Sequence, residues 1–215
     1  MVKEIEMINL YNRDCLEAMK EMDTNYYSLA IVDPPFGIGN FVQQRGKFRD
    51  GGSRKEKKAV DWNKYIPTDE YFAELRRVSK HRIIFGANYF NCFEGKMGAI
   101  IWVKNQPMPD FSKAVIASCS IHQKVEIYEQ KWTNFEARGR CTKHPCEMPV
   151  GLYLWLLQTY AKEGDKILDT HLGSGSIAVA AHTLKVDLDA FEISETYFEE
   201  AKNRLRRHQQ QLTLF

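Results

Sequence analysis

Lys166-Ile167-Leu168-Asp169-Thr170-His171-Leu172-Gly173-Ser174-Gly175-Ser176, followed by Ile177-Ala178-Val179-Ala180-Ala181-His182-Thr183-Leu184, decides the fold. A short apolar run ends in an acid, a glycine turn follows, and a helical pattern comes next. Strand, glycine turn and helix in that order is the nucleotide-binding arrangement of open α/β sheets. Glycines in such a turn let the backbone approach a ligand without a Cβ in the way. The spacing G-x-G-x-x-A fits a dinucleotide site equally well on its own. Asp169 just ahead of the turn argues for a ligand with a cationic end and no pyrophosphate, because an anion is a poor neighbour for a pyrophosphate. The next strand pattern, 186–191, ends in Glu192, placed to accept from ribose hydroxyls.

A second signal lies far upstream. Leu29-Ala30-Ile31-Val32 is an apolar run stopped by Asp33-Pro34-Pro35-Phe36. The run reads as a buried strand ending in a rigid turn. Pro34 biases Asp33 toward an extended backbone, and neither proline has an N–H to donate. An acidic side chain, a free backbone carbonyl and an aromatic ring are thereby crowded onto one ledge. A planar base with an exocyclic amine fits it: Asp33 and the Pro34 carbonyl accept the two amine hydrogens, and Phe36 stacks on the ring. The plainer reading is an ordinary strand-end turn, which the downstream glycine turn makes less economical.

Together the two motifs resemble the S-adenosylmethionine-dependent DNA amino-methyltransferases. The order, Asp-Pro-Pro-Phe first and glycine loop late, resembles their β group, a circular permutation of the usual order, and the resemblance runs from about Ile8 to Leu205. It implies that the ledge Asp33, Pro34, Pro35 and Phe36 holds a flipped base. It also implies that the methyl donor lies on Asp169, His171, Gly173, Ser174, Gly175, Ser176 and Glu192, at the carboxyl edge of one sheet. Leu10-Tyr11-Asn12-Arg13-Asp14-Cys15 resembles the family segment whose Asp faces the donor's adenine, which adds Asp14 and Cys15 to the donor site. Ile101-Trp102-Val103-Lys104 and Lys124-Val125-Glu126-Ile127-Tyr128 resemble the strands that wall the base pocket. Lys143 to Val150 resembles the segment before the donor site, with Met148 where a lysine is usual. His171 stands where an aromatic is common.

The length of 215 residues suits one domain with an ample core. Net charge is only +2, so any nucleic-acid signal is local. No signal peptide and no long apolar span stand out, so the expectation is a soluble chain in the cytoplasm of a bacterial host cell, with no membrane partner. Five scattered cysteines fit reduced thiols. Cys119 with His122 and Cys141 with His144 have chelate-like spacing, but buried thiols are the plainer reading and no metal is assigned. Strand patterns near 7–11, 28–33, 82–86, 99–103, 115–119, 124–129, 166–169 and 187–191 alternate with helical ones near 13–22, 68–79, 87–93, 149–161, 175–184 and 195–209. The pattern predicts a Rossmann-like α/β domain over 1–209, with a mostly parallel twisted sheet flanked by helices.

Residues 41–60 carry Arg45, Lys47, Arg49, Arg54, Lys55, Lys57 and Lys58 against only Asp50 and Glu56. A charge run of this kind is often just solvated, but this one begins beside the ledge, where it could clamp phosphates flanking a flipped base. A second polar patch, 131–143, includes Arg138 and Arg140 and occupies the position of the sequence-reading region in the β group. The end of the chain, 210–215, reads as an exposed tail. Its Gln211-Leu212-Thr213-Leu214-Phe215 resembles the peptides by which bacterial replication and repair proteins dock on the sliding clamp, which makes Gln211, Leu212, Leu214 and Phe215 the contact residues.

The expectation is therefore an S-adenosylmethionine-dependent methyltransferase acting by base flipping on adenine N6 in double-stranded DNA. In the family, Asp-Pro-Pro-aromatic goes mostly with adenine and Ser-Pro-Pro mostly with cytosine N4. Cytosine N4 and RNA are the alternatives within the same chemistry. A non-catalytic DNA- or clamp-binding protein would have no need of both an intact ledge and intact glycines. A small enzyme with a short reading segment resembles solitary phage or prophage methylases, and both a restriction partner and a homodimer stay open.

Overall fold

Period-two alternation along the apolar strands sorts their side chains onto the two faces of one eight-stranded sheet. The computed structural model describes residues 7–38, 61–105, 112–131 and 146–212. In chain order the elements are β1 (Ile8–Tyr11), α1 (Cys15–Lys20), β2 (Tyr27–Val32), a 3-10 turn (Asp61–Lys64), α2 (Asp69–Val78), β3 (Ser79–Phe85), β4 (Gly98–Val103), β5 (Ala114–Cys119), β6 (Val125–Glu129), α3 (Val150–Tyr160), β7 (Lys166–Asp169), α4 (Ser176–Leu184), β8 (Asp187–Phe191) and α5 (Glu195–Leu212). Leu29 and Ile31 of β2, Ile83 and Phe85 of β3, Ile167 of β7 and Leu188 of β8 form one core with Leu152 and Leu156 of α3, Ile177 and Ala180 of α4, and Leu205 of α5. Ala30, Val32, Ile84, Leu168 and Phe191 alternate with them and form a second core with Met19 of α1 and Tyr71, Leu75 and Val78 of α2. The result is a three-layer α/β/α arrangement, the mostly parallel Rossmann-like fold the motifs predict.

The strand order is β1-β8-β7-β2-β3-β5-β4-β6. Every pairing is parallel except those of β5 with β3 and with β4. β7 is followed by β8 on one side, whereas β2 is followed by β3 on the other. The chain thus reverses its winding between β7 and β2, whose registers align Leu29 with Ile167 and Ala30 with Leu168. Such a reversal opens a crevice outside the carboxyl ends of the two strands. Asp169 is the last residue of β7, and Asp33 is the first residue after β2.

Local chemistry sets the helix ends that face this edge. Asp14 caps α1, its Oδ1 accepting from Leu16 N at 2.7 Å and Glu17 N at 3.2 Å. Thr68 caps α2 by accepting from Tyr71 N, with Asp69 and Glu70 in the first turn and Arg76 and Arg77 in the last, each sign at its favoured end of the helix dipole.

Three departures from the sequence expectation stand out. The segment 87–93 forms turns instead of a helix, its aromatic side chains packing under β3 and β5 without a helical hydrogen-bond ladder. β5 runs against its neighbours, an orientation that strand patterns do not encode. α5 continues to Leu212, so residues 210–212 belong to the helix and not to a separate tail. Lys47, Arg45, Arg49, Arg54, Lys55, Lys57, Lys58, Arg138, Arg140, Leu214 and Phe215 lie outside the described residues.

The connection from β5 to β6 crosses the amino end of β4, because β6 pairs on the far side of β4 from β5. Gly98 makes that crossing possible. A Cβ there would lie 2.5 Å from the Lys124 carbonyl oxygen and 2.6 Å from that of His122. Gly98→Ala is expected to cost about 2 kcal/mol or more in urea denaturation, since the clash is with backbone. Gly95→Ala is the control: φ is +59° there but nothing lies within 4 Å, so only the backbone cost of about 1 kcal/mol applies. Equal losses at the two sites would show that the crossing is not tight.

Candidate active site

The ledge forms where β2 runs out. Pro34 is buried and Pro35 half-buried, and with no N–H on either the first donor after Asp33 is the Phe36 amide. That amide donates to Asn63 Oδ1 at 2.8 Å. Oδ1 of Asp33 is buried and, among the described residues, has no hydrogen-bond partner. Burial pushes the Asp33 carboxyl up to about 8; the charge of Asp169 adds to the rise and that of Lys104, at the end of β4, opposes it. Burial also lowers the Lys104 ammonium from its ordinary value, with Cys146 and Asp33 holding it up. The Phe36 ring stacks on Tyr89 with centroids 4.9 Å apart and planes within 11°, and meets Phe90 edge-on at 6.0 Å. The motif predicts Phe36 as a stacking surface for a base; in the free protein Tyr89 shares that surface.

The glycine loop lies beside it. Asp169 is 2 % exposed, and its Oδ1 accepts from His171 N at 3.0 Å. Burial and the neighbouring Glu192 push the Asp169 carboxyl up to about 7 against that hydrogen bond. Thr170 Oγ1 lies 2.7 Å from the Tyr71 hydroxyl and 2.9 Å from His171 Nδ1, which ties α2 to the end of β7. Burial pushes His171 down to about 4, so its imidazole is neutral at physiological pH. Glu192 accepts from Gly173 N at 2.9 Å and Ser194 N at 2.8 Å, fixing the loop against the end of β8. Asn12 donates to the Glu192 carbonyl at 2.7 Å, which brings the Asp14 segment to the same edge. The half-buried Cys15 thiol at the start of α1 is pushed up to about 12 by desolvation and stays protonated.

At Gly175, where φ is +76°, a Cβ would lie 2.9 Å from Ala201 Cβ and 3.1 Å from its Cα, so this glycine lets α5 lie close against the loop. α5 also holds the loop through Arg204, which donates to the Ser174 carbonyl at 3.0 Å and to Ser176 Oγ at 3.1 Å. The same guanidinium pairs with Glu147 at 2.7 Å, the Glu147 side chain being only 9 % exposed. Met148, at the family's lysine position, is a core residue.

The structure thus brings Asp33, Pro34, Pro35 and Phe36 to the end of β2, and Asp14, Cys15, Asp169, His171, Gly173, Ser174, Ser176 and Glu192 to the adjoining ends of β7, β8 and β1. The sequence motifs miss Asn63, Tyr71 and Arg204 as site-builders, whereas Lys104 and Glu147 fall in segments that the resemblance already places beside the base pocket and the donor site. The three missed residues act through partners 27 or more residues away. Away from this edge, Cys119 Sγ and His122 Nε2 are 3.6 Å apart, with the same His122 nitrogen 3.1 Å from the Tyr160 hydroxyl. Cys141 and His144 lie outside the described residues.

A DNA methylase family model, that of the N6/N4 methyltransferases, matches residues 117–203. The Type II methyltransferase M.HinfI of Haemophilus influenzae is 24% identical over 90% of this chain and 67% of its own length. M2.MboI of Moraxella bovis is 24% identical over 91% of this chain and 86% of its own. The chain is similar to DNA methylases of the N6/N4 type. Among solved structures, the M1.HpyAVI–SAM complex superposes with a TM-score of 0.60 at 21% identity, over 92% of this chain and all of that one. The cytosine-N4-specific PvuII DNA methyltransferase gives 0.60 at 14%, over 91% of this chain and 87% of that one.

The M1.HpyAVI structure is a complex with S-adenosylmethionine, the cofactor that the sequence resemblance implies here. It supplies a methyl group already activated by a positively charged sulfur. The residues fit it: Asp33 and Asp169 place two carboxyls at one sheet edge, and among the described residues the buried Asp33 Oδ1 has no hydrogen-bond partner. Glu192, just after β8, and Asp14, the cap of α1, are the residues that would hold its nucleoside end.

A pH dependence follows. Both carboxyls have raised pKa values, so in the free protein they are largely neutral below about 7 and ionise between about 7 and 8. A cationic donor favours the ionised forms. Affinity for S-adenosylmethionine, measured calorimetrically, is expected to rise by tenfold or more from pH 6 to pH 9, with proton release near neutrality. S-adenosylhomocysteine, whose sulfur is uncharged, is expected to rise less. Equal pH profiles for the two would show that the carboxyl pair does not sense the sulfonium.

Proposed function

We propose that the chain methylates adenine N6 in double-stranded DNA after flipping the base out of the duplex. The observation that carries this reading is the buried, unpartnered Asp33 Oδ1, on a ledge stripped of N–H donors and coupled to Asp169 of the donor loop. An exocyclic amine offers the two hydrogens such a ledge lacks. Asp33 and the Pro34 carbonyl accept them and turn the nitrogen lone pair out of the ring plane toward the methyl carbon. Donor binding lowers the Asp33 pKa, so its carboxylate is ionised when the base arrives. As the nitrogen–carbon bond forms, the carbon–sulfur electron pair stays on sulfur, and the nitrogen then gives a proton to Asp33. Phe36, backed by Tyr89, stacks on the base, a contact of about 1–3 kcal/mol. The Asp at the ledge, where Ser goes mostly with cytosine, supports adenine over cytosine N4.

The basic residues of 41–60, with Arg138 and Arg140, are read as phosphate contacts. Gln211 to Phe215 is read as a clamp-docking end, two of its anchors, Gln211 and Leu212, lying on the last turn of α5.

The test is nucleoside mass spectrometry of unmethylated DNA and RNA incubated with the protein and S-adenosylmethionine. N6-methyladenine in DNA is the expected product. N4-methylcytosine, or a product in RNA alone, would overturn the assignment. Asp33→Asn is expected to lose at least a hundredfold in single-turnover rate, about 3 kcal/mol of transition-state stabilisation. It should also stabilise the free protein at high pH. A carboxyl whose folded pKa is raised to about 8 contributes stability that is fully present in acid and lost as pH rises through that value. The loss begins at the ordinary carboxylate value near 4 and is complete by about 8, so the melting temperature of Asp33→Asn is expected to overtake that of the wild type within that window and to stay above it at higher pH. Undiminished transfer by this variant would remove Asp33 from the mechanism.

A further inference from the structure

We propose that Asn63 is a positioning residue for methyl transfer, holding the catalytic ledge through the Phe36 amide. The proposal rests on the assignment of Asp33 to Phe36 as that ledge. Asn63 lies inside the 3-10 turn Asp61–Lys64, with φ −96° and ψ 20°, off the helical geometry of its neighbours. It is 5 % exposed, so burying its polar side chain is costly unless it is hydrogen-bonded. Its Oδ1 accepts from Phe36 N at 2.8 Å, across 27 residues of chain.

The bond matters because of what the ledge lacks. Pro34 and Pro35 have no N–H, so between Asp33 and Phe36 the backbone has no donor with which to anchor itself. β2 fixes the chain up to Val32. Beyond it, the Phe36 amide is the first donor available, and Asn63 is its partner. Asn63 therefore closes the four-residue span at its far end, as β2 does at its near end. The span carries both amine acceptors, Asp33 and the Pro34 carbonyl, and the stacking ring. Just beyond, Gly37 abuts Ile66 Cγ2, so the same 61–66 stretch backs the chain on both sides of Phe36. A displacement of about 1 Å in such acceptors is enough to cost on the order of a hundredfold in rate. The donor loop has separate supports, Glu192 and Arg204, so loosening Asn63 should leave donor binding intact.

Three variants of the full chain test this: Asn63→Ala removes the acceptor, Asn63→Gln keeps the amide but moves the acceptor by one methylene, and Asn63→Asp keeps an acceptor oxygen in place. Single-turnover methylation of unmethylated DNA, calorimetric affinity for S-adenosylhomocysteine, and melting temperature are measured for each. Asn63→Ala and Asn63→Gln are expected to lose at least tenfold in rate with donor-site affinity within twofold of wild type, while Asn63→Asp stays within threefold in rate. If Asn63→Ala does not fold, the Gln and Asp pair carries the comparison. Rates within threefold of wild type for Gln and any folded Ala variant would overturn the proposal. So would affinity falling in step with rate, or an Asp variant no better than Gln. A wild type that transfers no methyl group, by contrast, would overturn the ledge assignment on which the proposal rests.

Discussion

Two carboxyls of the same sign, Asp33 and Asp169, are buried at the carboxyl ends of adjacent parallel strands, and the rest of the site is arranged around that conflict. The sheet imposes it: β2 and β7 are hydrogen-bonded neighbours at the point where the chain reverses its winding, and each strand delivers an acid at its end. An ionised carboxylate away from water is costly without a partner. The free protein answers by holding protons, with Asp33 pushed up to about 8 and Asp169 to about 7. Lys104 relieves part of the cost from the far wall, itself depressed by burial. A ligand with a positive centre completes the charge balance, which is the property that distinguishes a sulfonium methyl donor from its neutral product.

Around the pair, precision comes from bonds that cross long stretches of sequence. Glu192 ties Gly173 to the end of β8, Arg204 links the Ser174 carbonyl to Glu147, and Tyr71 joins α2 to Thr170. Asn63 does the same for the ledge. Each uses a half-buried or buried polar group with a defined partner, so each restricts geometry more than it adds net stability. Gly175 belongs to this set by a different route, since its missing Cβ admits Ala201 and lets α5 lie against the loop it braces.

The central features were legible because they are local. Apolar runs closed by Asp33-Pro34-Pro35 and by Asp169 mark strand ends, the glycine turn marks the crossover, and the resemblance to the amino-methyltransferases implies one sheet edge for both acids. What was not legible depends on distant partners. Nothing in Ala114–Cys119 says that this strand runs against its neighbours, because period-two patterns carry no direction. The 87–93 stretch has aromatic residues at near-helical spacing, yet tertiary packing under β3 and β5 holds it as turns. The close approach of Ala201 to Gly175 carried no signal, because the two lie twenty-six positions apart. Asn63 carried no signal at all, since a lone Asn in a polar stretch is indistinguishable from a turn residue.

The charge state of the acid pair governs the site, and carboxyl carbon-13 NMR reads that state directly. With aspartate side chains labelled and Asp33→Asn and Asp169→Asn used for assignment, the two resonances are followed from pH 4 to pH 10, free and with S-adenosylmethionine bound. Both are expected to titrate near neutrality in the free protein, and both midpoints to fall by at least one pH unit when the donor binds. Ordinary midpoints near 4 in the free protein, or midpoints that do not move with the cationic donor, would contradict this charge balance.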